Sequence, residues 1–380
     1  MKILRISTVP ISLETFLKGQ LRMLNQHYEI IGVSSPGEAL DKVHQREGIR
    51  VIPLPMERRI SLIKDFISLI RMIFLLIKER PDMIHSITPK AGLISMLAGW
   101  ITRVPVRMHT FTGLVFPTTT GLKQKILIAM DRLTCACATH INPEGKGVKN
   151  DLIKYRITSK SLHIIANGNI SGIDLIHYQR TTEILSQARQ YREKHAFTFC
   201  FVGRMVRDKG INELVSAFVK LHQKFACARL ILVGPFERDL DPIDKSTEEQ
   251  ILHHPTIAFM GFQKDIRPFM AASDALVFPS YREGFPNVVI QAGAMGLPSI
   301  VTNINGCNEI IIPGENGVII EPRNEEQLYQ AMETFITHQD KVKAMASNCR
   351  KLVADRYDQE IVWGALLGEY RNLTETISHV

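Results

Sequence analysis

Several absences narrow the chemistry of this 380-residue chain. No Gly-x-Gly-x-x-Gly follows a strand pattern and no Gly-x-x-x-x-Gly-Lys occurs, so dinucleotide oxidoreductases and P-loop NTPases are poor readings. His-Glu-x-x-His and the Gly-x-Ser-x-Gly elbow are missing too, which argues against zincin and α/β-hydrolase chemistry. The six cysteines, Cys135, Cys137, Cys200, Cys227, Cys307 and Cys349, form no Cys-x-x-Cys pair. They read as reduced, mostly buried thiols of a cytosolic protein. The net charge is +8, yet there is no Lys/Arg block and no aromatic–basic alternation, so nucleic acid is not an expected partner. The longest apolar run, Ile60 to Ile77, is interrupted by Lys64, Asp65 and Arg71, which makes it a poor membrane span. The opening Met-Lys-Ile-Leu-Arg-Ile reads as a strand with interspersed charges rather than a cleaved signal. No short repeat or low-complexity tract is present.

What remains is an ordinary globular composition, 45% hydrophobic and 22% charged, in a chain too long for one core. Short β-branched runs alternate with helical patterns from end to end. The strand candidates are Lys2–Thr8, Glu29–Ser34, Arg50–Leu54, Met83–Ile87, Val106–Thr110, Thr139–Asn142 and His163–Ala166, then Thr198–Gly203, Arg229–Gly234, Ile257–Met260, Ala275–Pro279, Ser299–Thr302 and Gly317–Ile320. Such alternation predicts α/β architecture with parallel sheets covered on both sides. The series restarts near residue 197, after the turn-rich Asn167–Gly172 and a polar helical stretch. We therefore expect two Rossmann-like, doubly wound domains facing across a cleft. The first spans 1–170, with 359–380 crossing back onto it; 171–196 connects it to the second, 197–358. Ligands of such folds gather beyond the carboxyl ends of the strands.

Two loops of the second half carry the chemistry. Gly203-Arg204-Met205-Val206-Arg207-Asp208-Lys209-Gly210 joins a strand to a helix, where Arg204 and Lys209 can converge on one diphosphate beside a helix N-terminus. Tyr281-Arg282-Glu283-Gly284-Phe285-Pro286-Asn287 sets a carboxylate and backbone N–H groups at a helix entrance, a place for sugar hydroxyls and phosphates. Asn287 reads as that helix's cap. In the first half, His85 reads as a hydrogen-bonded core histidine. Lys90 is placed to meet an acceptor phosphate, and Thr8 and Ser12 follow the first strand. Asp239-Leu240-Asp241 mimics a metal-binding Asp-x-Asp but sits in a turn-rich surface loop. The run from Ile60 to Ile77 reads as an amphipathic helix packed on a sheet. Its outer side would turn Arg58, Arg59, Lys64, Arg71 and Lys78 toward anionic headgroups.

The two loops resemble those of family 4 glycosyltransferases, retaining enzymes of the GT-B fold, and the resemblance is densest over 197–320. It implies that Arg204 and Lys209 neutralise the diphosphate of a nucleotide-sugar donor. It also implies that Glu283 binds sugar hydroxyls, with Gly203 and the N–H groups of Gly284 and Phe285 close to the donor. The base would lie near Gly261–Ile266. The residue eight beyond Glu283 binds the ribose in the family and is acidic there; here it is Gln291, which accepts a hydroxyl proton without charge assistance. His109 occupies the place of a histidine that reaches the donor sugar. The Gly-Gly loop common after the first strand is missing, leaving Thr8 or Ser12 to substitute or to shape an acceptor site with Lys90. The segments Ser7–Pro10, His85–Gly92 and His109–Gly113 look like the branch that builds bacterial surface polysaccharides. That branch implies an acceptor on undecaprenyl diphosphate, activity at the inner face of the cytoplasmic membrane, and no metal or cofactor. A GT-B sugar-nucleotide epimerase and a non-catalytic sugar-nucleotide-binding protein are the alternatives.

Overall fold

The computed structural model describes residues 1–57, 61–239 and 241–378. Arg58 and Arg59, expected among the headgroup-facing cations, and Leu240 of the Asp-x-Asp mimic lie outside the described residues. The strands are short, and the inner ones are buried on both faces, as parallel strands between helix layers must be. The first six are β1 (Lys2–Ile6), β2 (Glu29–Ser34), β3 (Arg50–Pro53), β4 (Met83–Ser86), β5 (Val106–Phe111) and β6 (His140–Pro143). They form one parallel sheet in the order β3-β2-β1-β4-β5-β6. Alternate residues feed opposite layers. Ile3, Met83 and Val106 pack with Leu13, Leu40 and Leu366, while Leu4 and Ile84 pack with Met72, Ile94 and Cys135.

The next six are β7 (Phe197–Val202), β8 (Ala228–Val233), β9 (Ile257–Phe259), β10 (Ala275–Phe278), β11 (Ser299–Thr302) and β12 (Gly317–Ile320). They form a second parallel sheet, ordered β12-β11-β10-β7-β8-β9. The chain divides into two units, Met1–Gly172 with Glu360–Val380, and Ile173–Gln359. The C-terminal helix Gln359–Ser378 supplies Leu366 and Tyr370 to the first core.

Three boundaries differ from expectation. Segment 163–166 is no strand: Leu162 makes one isolated bridge to Ile141, and the chain then turns through Ala166 and Gly168, both at positive φ. Residues 171–196, expected as a connection, hold the expected helical stretch as Thr182–Ala188 but place Ile173, Ile184 and Ala188 in the second core. Their polar surface hides those few apolar anchors from a compositional reading. The amphipathic helix runs Leu62–Glu79.

Candidate functional site

In the second sheet the chain winds from β7 outward through β8 and β9, then returns to β10 beside β7 and winds the other way. The loops after β7 and β10 therefore diverge from adjacent strand ends, which creates the crevice where α/β sheets bind ligands. Arg204 and Lys209 lie on the first loop and Glu283 on the second.

The two loops are stitched together. Asp208 accepts from the Tyr281 backbone N–H at 2.8 Å through its carbonyl and from Arg282 Nε at 2.8 Å through its carboxylate. Gly210 has φ +70°, and a side chain there would put its Cβ 2.2 Å from the Pro279 carbonyl oxygen. Only glycine lets the backbones approach this closely. Lys209 Nζ pairs with Glu283 Oε1. Both side chains are largely enclosed, at 17% and 16% exposure, and Nζ lies 5.3 Å from the Phe278 ring centroid. Ser280 Oγ donates to the same Glu283 oxygen at 2.8 Å. Beneath them Cys307 is fully buried, and burial, with the Glu283 charge, pushes its thiol well above the ordinary range. It is an inert packing residue.

Arg204 turns the other way, its guanidinium pairing with Glu237 on the loop after β8. Met205, bonded through its N–H to Pro235 O at 2.8 Å, and Gly203, bonded to Val233 O at 2.9 Å, hold this end of the loop to β8. The structure thus joins Lys209 and Glu283 directly and sets Arg204 one strand over, with an acidic partner of its own. Asp241, from the Asp-x-Asp mimic, accepts from the Asp208 N–H at 2.7 Å and braces the same loop. Nothing in the sequence signals that role, since the contact spans 33 residues.

Gln291 lies half-buried in the helix Asn287–Ala294 near the Tyr178 phenol, whose pKa burial pushes up to about 12. Gly284 and Phe285 are buried, with the Phe285 ring edge-on to Tyr357 at 5.5 Å. Asn287 is not the cap: Pro286 holds that position and Asn287 is the first helical residue. Proline suits a helix entrance, where an N–H has no intrahelical partner.

The first sheet reverses direction between β1 and β4. Thr8 and Thr88 close that point, Oγ1 to Oγ1 at 2.8 Å, and Thr8 Oγ1 also accepts from the Ala91 N–H at 3.1 Å. Ser12 is buried in the helix Pro10–Phe16. Lys90, expected to meet a phosphate in the open, is only 8% exposed, and its ammonium donates to Asp65 Oδ1 at 2.7 Å. His109 is also enclosed, at 1% exposure. Its Nδ1 meets Ser86 Oγ at 2.8 Å, its ring stands edge-on to Phe111, and it fills the space left by Gly92, where a Cβ would come within 2.4 Å of the ring. Burial lowers its pKa to about 3. The structure makes His109 a neutral core residue; the rim of β5 is formed instead by Thr112, which donates to Ile87 O at 2.8 Å. His85 is a buried, hydrogen-bonded core residue, as expected. Its partner Arg5, wholly buried against His85, Tyr370 and Gln20, was not foreseen.

Two parallel doubly wound units, each sheet reversing its winding at one point, have the architecture of GT-B glycosyltransferases. Residues 196–338 match the model described as glycosyl transferases group 1, and 23–168 match the glycosyl transferase 4-like domain. The chain is 32% identical over 371 residues to CapM of Staphylococcus aureus, a capsular polysaccharide biosynthesis glycosyltransferase, covering 97% of this chain and 96% of CapM. It is 25% identical over 372 residues to an Escherichia coli UDP-Gal:alpha-D-GlcNAc-diphosphoundecaprenol alpha-1,3-galactosyltransferase, over 93% and 94% of the two chains. Among solved structures, HepE of Anabaena in complex with UDP-glucose shares the fold over 100% of both chains, with a TM-score of 0.81 at 20% identity. The lipopolysaccharide glycosyltransferase WaaG does so over 96% of this chain and 98% of its own, with a TM-score of 0.73 at 14% identity. The chain belongs to the family 4, or group 1, glycosyltransferases of the GT-B fold.

Proposed function

We propose that this glycosyltransferase moves a hexosyl or N-acetylhexosaminyl group from a uridine diphosphate sugar to a sugar hydroxyl on a polyprenyl diphosphate, with retained configuration, in cell-surface polysaccharide synthesis. The nucleotide and the carrier are suggested by the activity of the Escherichia coli relative, and the pathway by CapM. The work is done at the inner face of the cytoplasmic membrane, where such a carrier presents its sugar. The observation that carries the reading is the Lys209–Glu283 contact at the β7/β10 switch point.

The chemistry follows from exchange of ionic partners. Glu237 and Glu283 occupy the two cations that a diphosphate seeks. An arriving diphosphate competes for Arg204 and Lys209, and a released Glu283 accepts from sugar hydroxyls. As the bond to the anomeric carbon breaks, negative charge grows on the departing diphosphate. Fixed cations stabilise that change more than they stabilise the bound donor. The role is assigned to side chains, with no metal invoked. His109, uncharged and enclosed, moves no proton.

The test is sugar transfer from UDP-sugars to a polyprenyl-diphosphate-linked N-acetylhexosamine, in the wild type and in Arg204→Ala. Loss of one charge-stabilising group is expected to slow turnover by about 10²–10³-fold. Unchanged turnover removes Arg204 from the mechanism. Conversion of the donor sugar without acceptor would show an epimerase instead.

A further inference from the structure

We propose that the outer face of the first unit's helix layer docks on a lipid bilayer surface that carries anionic headgroups. The layer consists of the helices Leu62–Glu79, Pro89–Ile101 and Gly121–Cys137, with the first and third each packed against the second.

The helix Leu62–Glu79 is amphipathic with its apolar stripe outward. Its buried side is made of Ser68, Met72, Leu76 and Glu79. Asp65 turns toward the same side, where it pairs with Lys90, and Glu79 pairs with Arg50 and Lys2. The outward side presents Ile63, Phe66, Ile70, Phe74 and Ile77, with Ile63 77%, Phe66 63% and Phe74 67% exposed. At helical spacing Lys64, Arg71 and Lys78 line one flank of that stripe. Both carboxylates of the helix are thus spent inward and all three cations face outward, Lys64 sharing the neighbouring Glu57.

The helix Gly121–Cys137 repeats the pattern. Leu122, Ile126 and Leu133 are exposed at helical spacing beside exposed Lys123, Lys125 and Arg132, and its one acidic residue, Asp131, is not exposed. Between the two, the middle helix ends on exposed Trp100 and Ile101. From its end to the end of the first helix runs a groove of about 520 Å³ edged by Arg80 and Arg103. Large apolar side chains framed by cations are what an interfacial surface needs, because insertion and headgroup attraction add. Among the described residues no helix is long and apolar enough to cross a membrane, so contact lies in the plane of the surface. A second copy fits the face less well, since cations without exposed carboxylates on the same helices would meet their own kind across a two-fold axis.

This deepens the reading of a lipid-linked acceptor, and vesicles without acceptor keep the two separable. The full chain is sedimented with vesicles of phosphatidylcholine alone and of a phosphatidylcholine–phosphatidylglycerol mixture, at low and high salt. Binding is expected on the anionic vesicles and is expected to weaken with salt. Arg71→Glu with Lys78→Glu should reduce it by about thirtyfold or more, each cation near the surface being worth about fivefold before reversal of its charge is counted. Phe66→Ser with Phe74→Ser should reduce it by at least about tenfold. Stabilisation by UDP, read as a thermal shift, should be unchanged in both variants, which shows that they fold. Equal binding to both vesicle types, or full binding by the phenylalanine variant, overturns the proposal. So does a concentration-dependent dimer of the wild type that Phe74→Ser abolishes.

Discussion

His85 has its tautomer set by its neighbours. Arg5 can only donate, so the Nδ1 it meets at 2.6 Å accepts, and the ring proton sits on Nε2, 2.8 Å from Thr110 Oγ1. The Tyr370 phenol joins both residues. Protonating His85 would bury a second cation beside Arg5. Burial foremost, then the Arg5 charge, holds its pKa well below the ordinary value, and burial takes His109 to about 3. In the unfolded chain both rings titrate near pH 6.5. Below that pH the unfolded state binds protons that the folded state refuses. The contribution to stability is therefore intact above about pH 6.5 and drains as pH falls toward the folded values, by up to about 1.4 kcal/mol per pH unit for each ring. Urea midpoints between pH 7 and pH 5 should show this slope, and His109→Gln, which keeps a partner for Ser86, should remove about half of it. An unchanged slope would mean that His109 is already protonated in the fold. The two histidines also show where sequence stops being legible. Both follow strand patterns and both precede hydroxyl residues. That His109 is enclosed depends on Gly92, a missing side chain on another element, and on Ser86 one strand away. Lys90 is similar, because its partner Asp65 lies on a helix 25 residues earlier.

At the scale of elements, the loops were more legible than the contacts that hold them. Strand ends came out within a residue or two because parallel strands are buried runs bounded by turns, and such runs can be read one at a time. Segment 163–166 has the right composition but follows an edge strand and runs into positive-φ turns, so it pairs only through Leu162. The Gly203–Gly210 and Tyr281–Asn287 loops announce themselves by glycine, proline and charge. The Asp208 and Asp241 braces do not, since each is a pairing of distant segments. Gly210 tests whether this stitching matters. Alanine there takes on a left-handed φ costing about 1–2 kcal/mol and must also push the Pro279 carbonyl away. Gly314 provides the control, with φ +82° and nothing within 4 Å of a Cβ. Gly314→Ala should lower the melting temperature and leave donor affinity alone. Gly210→Ala should weaken UDP binding by about tenfold or more, as the displaced loop carries Lys209 out of the crevice where it and Arg204 meet the diphosphate. Equal affinities in the two variants, measured by calorimetry, would show that the loop-to-loop contact does not shape the site.

At the scale of the whole molecule, the two units are built differently along the chain. Ile173–Gln359 is continuous and contains its own core together with Arg204, Lys209, Glu237 and Glu283. Met1–Gly172 is incomplete without Glu360–Val380, whose Tyr370 caps Arg5 and whose Trp363 donates to Ser171 O at 2.9 Å. A fragment of residues 173–359 should therefore fold alone and retain donor binding. With UDP at about a hundred times its dissociation constant, the stabilisation is about 2.7 kcal/mol, which raises the melting temperature of a unit this size by roughly 5–10 °C. A fragment of 1–172 should not reach a native state. It leaves a guanidinium in the core without its phenol partner, and an unsatisfied buried group of that kind costs several kcal/mol against a marginal total. Adding the 360–380 peptide in trans should partly restore it. If 173–359 folds with a cooperative transition but gains nothing from UDP concentrations that stabilise the full chain, the loops after β7 and β10 are insufficient for donor binding, and the assignment of Lys209 and Glu283 fails with them.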